Sequence, residues 1–560
     1  MASLSETDVV IIGMGAIGGV VADVLTEAGL KVVGLEAGPR LEKTDFIKRF
    51  DEIGESFTIR NSLGGPKFNR EVPTWRPTAG EPVQPSPALG LANCVGGSST
   101  HYGAQFWRLL EDDFTVRSST IEKYGQNALP KGTDIVDWPM TYKELEPYYD
   151  KVEYELGVSG QAGANPFEAP RSRDYPMPPL RPSGYPSMMA EVMKKQGLHP
   201  FPQPAAINSE IYDDRPPCTY CGFCGLGFGC WNDSKMSTLV TSIPRAEKSG
   251  NLDLRTNSRV LEILVDAEGR ASGVKYLDEK GRTQEQPARF VVLSSYIYEN
   301  NRMLLLSKSK AYPKGLSNNH GQVGKYYRPQ VVTTVYGTYP GKKLNIWSGT
   351  TGQTFCIDDY NGDNFDHTGL GFIRGGSIQV GANNMAISQS VTVPPGVPLW
   401  GAKYKRWIHE NADSVAGLTA QMETLPYEAN FIDLDPEKKD DLGIPVVRLT
   451  FSVYENEEKM SEYLVEKLTA IHEAAGVKTT WGGLGVVPVN SHAYGGTRMG
   501  TDPDSSVVDQ YSVSHEVPNL AVMGGSTFCS VSGYNPTETM QALAWYGSEQ
   551  IAKNFEALAS

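Results

Sequence analysis

The chain has 560 residues, enough for two or three structural units with large cores, and its 40 % hydrophobic and 21 % charged residues are those of an ordinary soluble protein. The net charge is −14 and no Lys/Arg-rich run stands out, which argues against nucleic-acid binding. No apolar run of about 18 residues suggests a transmembrane helix, and MASLSETD has no basic stretch followed by an apolar core, so no export signal of the chain's own is expected.

The first stretch, Asp8–Gly38, reads DVVIIGMGAIGGVVADVLTEAGLKVVGLEAG. Val9–Ile12 suits a buried parallel strand, Ala16–Ala28 a helix stopped by Gly29, and Lys31–Leu35 a second strand ended by Glu36. Gly13, Gly15 and Gly18 give the G-x-G-x-x-G spacing at the strand end. Gly13 permits the tight turn, Gly15 lets a pyrophosphate approach the backbone, and Gly18 lets helix and strand pack closely. The helix start offers N–H groups to phosphates, and Glu36 can accept hydrogen bonds from a ribose diol. This is the pattern of a dinucleotide site; alone it does not choose between FAD and NAD.

A Pro/Gly-rich, weakly periodic region follows to Leu91 and is expected at the surface or over the cofactor. Asn93–Arg108, NCVGGSSTHYGAQFWR, is small-residue backbone leading to His101 and an aromatic group. Thr141 and Glu144 form a capping box for a helix ending near Gly157. Pro166–Pro217 is rich in proline and tyrosine and reads as irregular or extended. Asn251–Lys275 alternates in the manner of a β-meander turning at Gly269. Arg289–Leu293 is a further strand, followed by a helix through Asn300–Leu306. Lys325–Val380 holds short alternating segments suited to an antiparallel sheet, and Val446–Phe451 resembles one more of them. Ser461–Ala475 is an amphipathic helix, and the last segments are HAYGGTRMG, a strand Asn519–Val522 and GYNPTETMQALAWYGSEQIA. The order predicts an α/β chain, α+β overall. A Rossmann-like nucleotide unit would take residues 1–136, 216–324 and 480–560, and a substrate unit with a mainly antiparallel sheet 137–215 and 325–479. An N-terminal βαβ unit followed by an independent C-terminal domain is the competing layout.

Two groups of residues carry chemistry. His492, in NSHAYGGTRMG, has an imidazole suited to take the proton of an alcohol, and Asn535, in SGYNPTET, has an amide that can orient the same hydroxyl. The plainer reading is a core histidine and an Asn-Pro turn. Pro536 and Thr537 precede a helix whose first N–H groups suit developing negative charge. Cys218, Cys221, Cys224 and Cys230 have the spacing C-x2-C-x2-C-x5-C, which suits an iron–sulfur cluster; structural zinc and free thiols or disulfides are the alternatives. Cys94, Cys356 and Cys529 read as ordinary buried cysteines. Asp358–Asp366, DDYNGDNFD, lacks the glycine and glutamate of a calcium loop and reads as a solvated acidic turn.

Four separated segments together resemble the glucose–methanol–choline (GMC) flavoprotein oxidoreductases: the N-terminal GxGxxG…E, VGGSSTH, the NSRV meander, and H-x-x-G-G-T…N-P-T-x-T. Within that superfamily, CTYCGFC, IDDYNGDNFDHTGLGF, GGSIQVG and SGYNPTETMQALAW resemble the branch of bacterial gluconate 2-dehydrogenase flavoprotein subunits and related sugar dehydrogenases. The resemblance implies FAD, with Val95, Gly96 and Gly97 lining it, Val260 meeting the adenine through its backbone, and His492 and Asn535 at the reacting end. It implies oxidation of a sugar or sugar acid, electron transfer through a cysteine-bound cluster, and a small subunit and a cytochrome c as partners. The expected location is periplasmic or membrane-associated through those partners, with the cytoplasm as the alternative. His101 lies in a stretch where relatives join a histidine covalently to the flavin; a histidine packed beside the flavin is the alternative, and Tyr102 stands where those relatives commonly have Trp. SSYIYENN, Ser294–Asn301, departs from the glycine-containing loop of many members. Arg498 is a candidate cation for a charged substrate, or a structural residue. An oxidase using dioxygen and a non-catalytic scaffold subunit are the rival functions.

Overall fold

In the computed structural model, which describes residues 4–46, 72–85, 91–224, 229–347, 349–381, 390 and 392–560, strand β1 (Thr7–Ile12) lies at the centre of a seven-stranded sheet. Val9, Val10 and Ile11 are fully buried, as an apolar run covered on both sides must be. β1 turns through the glycines into α1 (Gly18–Glu27) and returns in β2 (Val32–Leu35), parallel to β1 with Val10 opposite Val33. The expected region to Leu91 falls largely outside the described residues.

Helix α2 (Tyr142–Leu156) begins at the expected capping box. Thr141 N–H donates to Glu144 Oε2 at 2.8 Å, and Glu144 N–H to Thr141 Oγ1 at 3.3 Å. It ends at Gly157, with φ +84°. Tyr149 OH lies 2.9 Å from Thr539 Oγ1, so this helix packs against the long C-terminal helix that begins at Thr537. Its buried face of Leu145, Tyr149, Val152 and Leu156 belongs to the same core as β1.

β3 (Leu252–Arg255) adds to β2 in parallel. β4 (Arg259–Val265), β5 (Ala271–Leu277) and β6 (Thr283–Leu293) form the meander. β6 serves two neighbourhoods. Up to Pro287 it pairs antiparallel with β5; from Ala288 it pairs in parallel with β1, and Val291–Leu293 also with a strand at Leu520–Val522. Its burial follows: alternating at first, then continuous over Phe290–Leu293, where both faces are covered. Helix α3 (Ile297–Leu306) comes next.

The second sheet is antiparallel. Its strands are β7 (Val331–Thr338), β8 (Phe355–Ile357), β9 (Gly376–Val380), β10 (Val415–Met422) and β11 (Thr479–Gly485). They lie in the order β11-β7-β10-β9-β8, with a short edge strand at Phe201–Pro202. One face carries Val335, Ile378 and Leu418 against Leu464, Leu468 and Ile471 of helix α4 (Glu455–Ala474). Alternate residues, Gln379 and Gln421 among them, fall on the other face. Gln105 reaches it from the nucleotide unit, donating to Gln379 Oε1 at 3.0 Å.

Three expectations shift. The strand at Pro445–Thr450 pairs with Phe431–Lys439 and Thr74–Arg76 in a separate four-stranded sheet rather than joining the antiparallel one. α4 starts at Glu455, ahead of Ser461, because Glu455, Glu457 and Glu458 sit well in a first turn. Pro166–Pro217 contains a helix, Gly184–Lys195, whose Pro186 lies in the first turn where a missing N–H costs nothing. The last long helix is α5 (Thr537–Lys553). No helix among the described residues is long and apolar enough to cross a membrane.

Candidate functional site

The end of β1 and the start of α1 open one side of a long cleft. Gly13, Gly15, Glu36, Gly97, Val260, His492, Asn535, Pro536 and Thr537 line it. Gly18, Val95 and Gly96 do not line it; Gly96 N–H donates to the Met14 carbonyl at 2.8 Å. A Cβ on Gly18 would fall 2.0 Å from the Gly13 carbonyl oxygen, so only glycine brings the helix this near the turn. Gly13 has φ +89° and lies against Ser295, and Ser294 Oγ donates to the Gly13 carbonyl at 3.0 Å. The SSYIYENN departure therefore buttresses the glycine turn with hydroxyls, and its Ser294–Asn300 portion lines the cleft.

Gly15 and Gly97 face each other: a Cβ on Gly97 would lie 2.9 Å from Gly15 Cα. Glu36 is 6 % exposed, and its two oxygens accept the N–H groups of Met14 (3.0 Å) and Gly38 (2.9 Å). Burial raises its carboxyl to about 7, against those two donors. Val260 lines the cleft from β4, beside Ser258 and Arg259. These residues fit the ADP half of FAD: a cradle that side chains would fill, amides at a helix start, and an acid at the end of β2.

His492 and Asn535 meet at the other end. Asn535 Nδ2 lies 3.2 Å from His492 Nε2, and His492 Nδ1 lies 3.0 Å from Gln330 Oε1. Burial pushes the His492 imidazole down to about 4, so it is neutral at pH 7. Asn535 also accepts from Trp107 Nε1 at 3.1 Å, and Trp107 stacks on Tyr534 at 4.7 Å between centroids. Pro536 is the N-cap of α5, and Pro536 and Thr537 at its start line the cleft beside Asn535.

Other expected residues are placed elsewhere. His101 does not line the cleft; Tyr102 stands at the wall, and a bond from His101 to a flavin would require that ring to turn inward. Arg498 is 4 % exposed and donates to Asp134 Oδ2, the Asp134 carbonyl and the Ser505 carbonyl, each at 2.9 Å, which makes it structural. The acidic turn is not solvated where it begins: Asp358 is fully buried and accepts from Asn165 at 2.6 Å and from the Tyr534 hydroxyl. Asp359 pairs with His199 at 2.7 Å, and Asp363 with Lys123.

The four cysteines lie near one another. No three His, Cys, Asp or Glu side chains among the described residues are placed to hold a metal. Cys221 is exposed, while Cys230 Sγ lies 3.0 Å from Asn232 Oδ1 and takes the Lys235 N–H at 3.4 Å. Burial pushes the Cys218 thiol up to about 12. The iron–sulfur and zinc expectations for Cys218, Cys221, Cys224 and Cys230 thus find no support among the described residues, and none of the seven cysteines forms a disulfide. Cys94, Cys356 and Cys529 are buried, as expected.

Sequence reasoning missed Gln330 and Tyr534 and gave Trp107 no role. Gln330 stands in no motif. Its proximity to His492 comes from the pairing of Pro329 with Ala493.

Comparison with known proteins agrees with this geometry. The family profile described as GMC oxidoreductase matches residues 204–326 and 426–544. The chain is 32 % identical to the gluconate 2-dehydrogenase flavoprotein of Pantoea cypripedii, over 99 % of this chain and 94 % of that protein. It is 29 % identical to the fructose dehydrogenase large subunit of Gluconobacter japonicus, over 98 % of each. The crystal structure of pyridoxine 4-oxidase from Mesorbium loti shares the fold, with a TM-score of 0.61 at 16 % identity over 97 % of this chain and 99 % of that one. The chain belongs to the GMC oxidoreductases, flavin-dependent enzymes that act on alcohol groups.

Proposed function

We propose that this protein is an FAD-dependent dehydrogenase that oxidises a secondary alcohol of a sugar or sugar acid to a ketone. The observation that carries the reading is the contact of His492 Nε2 with Asn535 Nδ2, 3.2 Å, at the end of the cleft opposite Glu36. Bound FAD supplies the hydride acceptor. His492, neutral at pH 7, takes the hydroxyl proton at Nε2. Asn535 donates its second amide N–H to the same oxygen and so aims the carbinol C–H. The start of α5 offers N–H groups to negative charge at the flavin pyrimidine.

Likeness to a gluconate dehydrogenase and a fructose dehydrogenase over nearly the whole chain supports a polyhydroxy substrate and an acceptor other than dioxygen. Gln105, Tyr296, Met303 and Met540 also wall the cleft, together with Arg259 and Glu299. Arg498, engaged by Asp134, is not the partner of a substrate carboxylate. Anaerobic mixing with a panel of neutral sugars, polyols and gluconate tests the reading: bleaching of the flavin by at least one of them is expected. Bleaching by none of them contradicts it.

A finer reading passes the electrons through a cluster on the four clustered cysteines to a partner cytochrome. Only their spacing supports it. Iron and acid-labile sulfide in anaerobically purified protein would sustain it; their absence together with rapid peroxide formation would favour an oxidase.

A further inference from the structure

Four side chains from four separate segments form a single hydrogen-bonded chain behind the reactive end of the cleft. Trp107 Nε1–H reaches Asn535 Oδ1 at 3.1 Å, and Asn535 Nδ2–H reaches His492 Nε2 at 3.2 Å. His492 Nδ1 lies 3.0 Å from Gln330 Oε1, and Gln330 Nε2–H donates to the backbone carbonyls of Ser532 (2.8 Å) and Tyr534 (3.3 Å). An indole N–H can only donate, and a backbone carbonyl can only accept. The direction of the chain is therefore fixed at both ends. Turning over the Asn535 amide would face its N–H2 against the Trp107 N–H. Turning over Gln330 would face its oxygen against two carbonyl oxygens. Moving the imidazole proton to Nε2 would set that N–H against the Asn535 N–H2 and leave Nδ1 lone pair to lone pair with Gln330 Oε1.

The two ends are also held in place. Trp107 is 3 % exposed and stacks on Tyr534 with 5° between ring planes, and Gln330 is 1 % exposed, with its own N–H bonded to the His492 carbonyl at 2.8 Å. We infer that Trp107 and Gln330 are positioning residues that hold His492 in its Nδ1–H tautomer, so that Nε2 carries the lone pair, which the Asn535 N–H occupies until a substrate hydroxyl takes its place, and the second N–H of Asn535 meets the same oxygen. This rests on the reading of His492 as the base. Neither residue touches the reacting atoms; each acts through its neighbour.

The test uses the FAD-loaded enzyme in anaerobic stopped flow with whichever substrate bleaches the wild type. Trp107→Phe keeps the aromatic stack and removes the N–H. Gln330→Met keeps length and removes the acceptor. Gln330→Glu keeps an acceptor for Nδ1–H but gives up both bonds to the carbonyls. The limiting rate of flavin reduction is expected to fall about tenfold or more in Trp107→Phe, a part of what a general base contributes. Flavin content and substrate Kd should stay within about twofold, because the group lost acts in the transition state. Gln330→Met should slow reduction in the same way, and Gln330→Glu should recover much of the rate. A structural role for Gln330 would give the opposite order, since Glu breaks two backbone contacts in the interior. Wild-type reduction by Trp107→Phe, or Gln330→Glu no faster than Gln330→Met, overturns the inference. If the Gln330 variants lose flavin, Trp107→Phe decides alone. His492→Ala separates the two levels: undiminished reduction there removes the base itself, whereas an inactive His492→Ala beside a fully active Trp107→Phe removes only the positioning.

Discussion

His492 and Glu36 are ionisable groups at opposite ends of one cleft, and their surroundings move both towards the neutral form. His492 is pushed down to about 4 by burial, so it keeps its lone pair well below the usual histidine value of 6.5. Flavin reduction should therefore hold its rate from about pH 8 down to about pH 5; a fall centred near 6.5 would contradict this. Glu36 is raised to about 7, so the folded protein binds a proton that the unfolded chain has released above its ordinary 4.5. Its contribution to stability is present below 4.5 and is lost as pH rises through 7. In the flavin-free protein, Glu36→Gln should flatten the decline in stability between about pH 5 and 7 relative to wild type. Equal slopes in the two proteins would show that Glu36 is not so shifted. At this scale the sequence was legible where a residue's job is local. Gly13, Gly15, Gly18 and Glu36 do their work within one strand–turn–helix–strand. Gln330 was not legible, because nothing in KYYRPQ announces that the pairing of Pro329 with Ala493 will bring it against His492.

Among the elements, α1 and α2 were readable because their signals are carried by the chain next to them. For α2 the capping box is complete, and Thr141→Ala should lower stability by about 1 kcal/mol in denaturant unfolding. Gly18→Ala should do more harm, since its Cβ would meet the Gly13 oxygen at 2.0 Å. FAD content after purification should fall sharply, and a fully loaded Gly18→Ala protein would show that the turn can give way. β6 shows why boundaries were harder. Its first half alternates and its second half is continuous, yet it is one strand crossing from a half-exposed meander to a covered parallel sheet. The helix Gly184–Lys195 was hidden by proline content, although Pro186 sits where a helix tolerates it. In the cysteine segment, spacing brings the four residues near one another but does not set the direction of their side chains: Cys230 turns to Asn232 and Cys221 is exposed.

Over the whole molecule, the two sheets are joined by contacts between residues far apart in sequence. Arg374, 2 % exposed, ties the second sheet to the segment after Trp107 through Asp112 (2.6 Å) and Asp113, and it also holds Glu423 at 2.6 Å. Arg374→Met would leave these carboxylates without their cation and should cost about 3–5 kcal/mol in denaturant unfolding; a loss below about 1 kcal/mol would mean that the acids have taken up protons at little cost. The Trp107–Tyr534 stack and the Asp358–Tyr534 bond belong to the same seam. They explain why the motif DDYNGDNFD begins inside the molecule. This level was legible only through the resemblance of separated motifs, since no local pattern couples Trp107 to Asn535.

At the centre of the mechanism, an alcohol loses its proton to His492 while its carbinol hydrogen leaves as hydride to flavin. Anaerobic single-turnover reduction of the FAD-loaded enzyme by a reactive sugar, unlabelled and deuterated at the oxidised carbon, tests this directly in wild type and His492→Ala. The expected result is a primary isotope effect on flavin bleaching in the wild type and bleaching slower by about a hundredfold or more in His492→Ala. Bleaching at the wild-type rate in His492→Ala, or no isotope effect in either protein when bleaching is limited by chemistry, would contradict it.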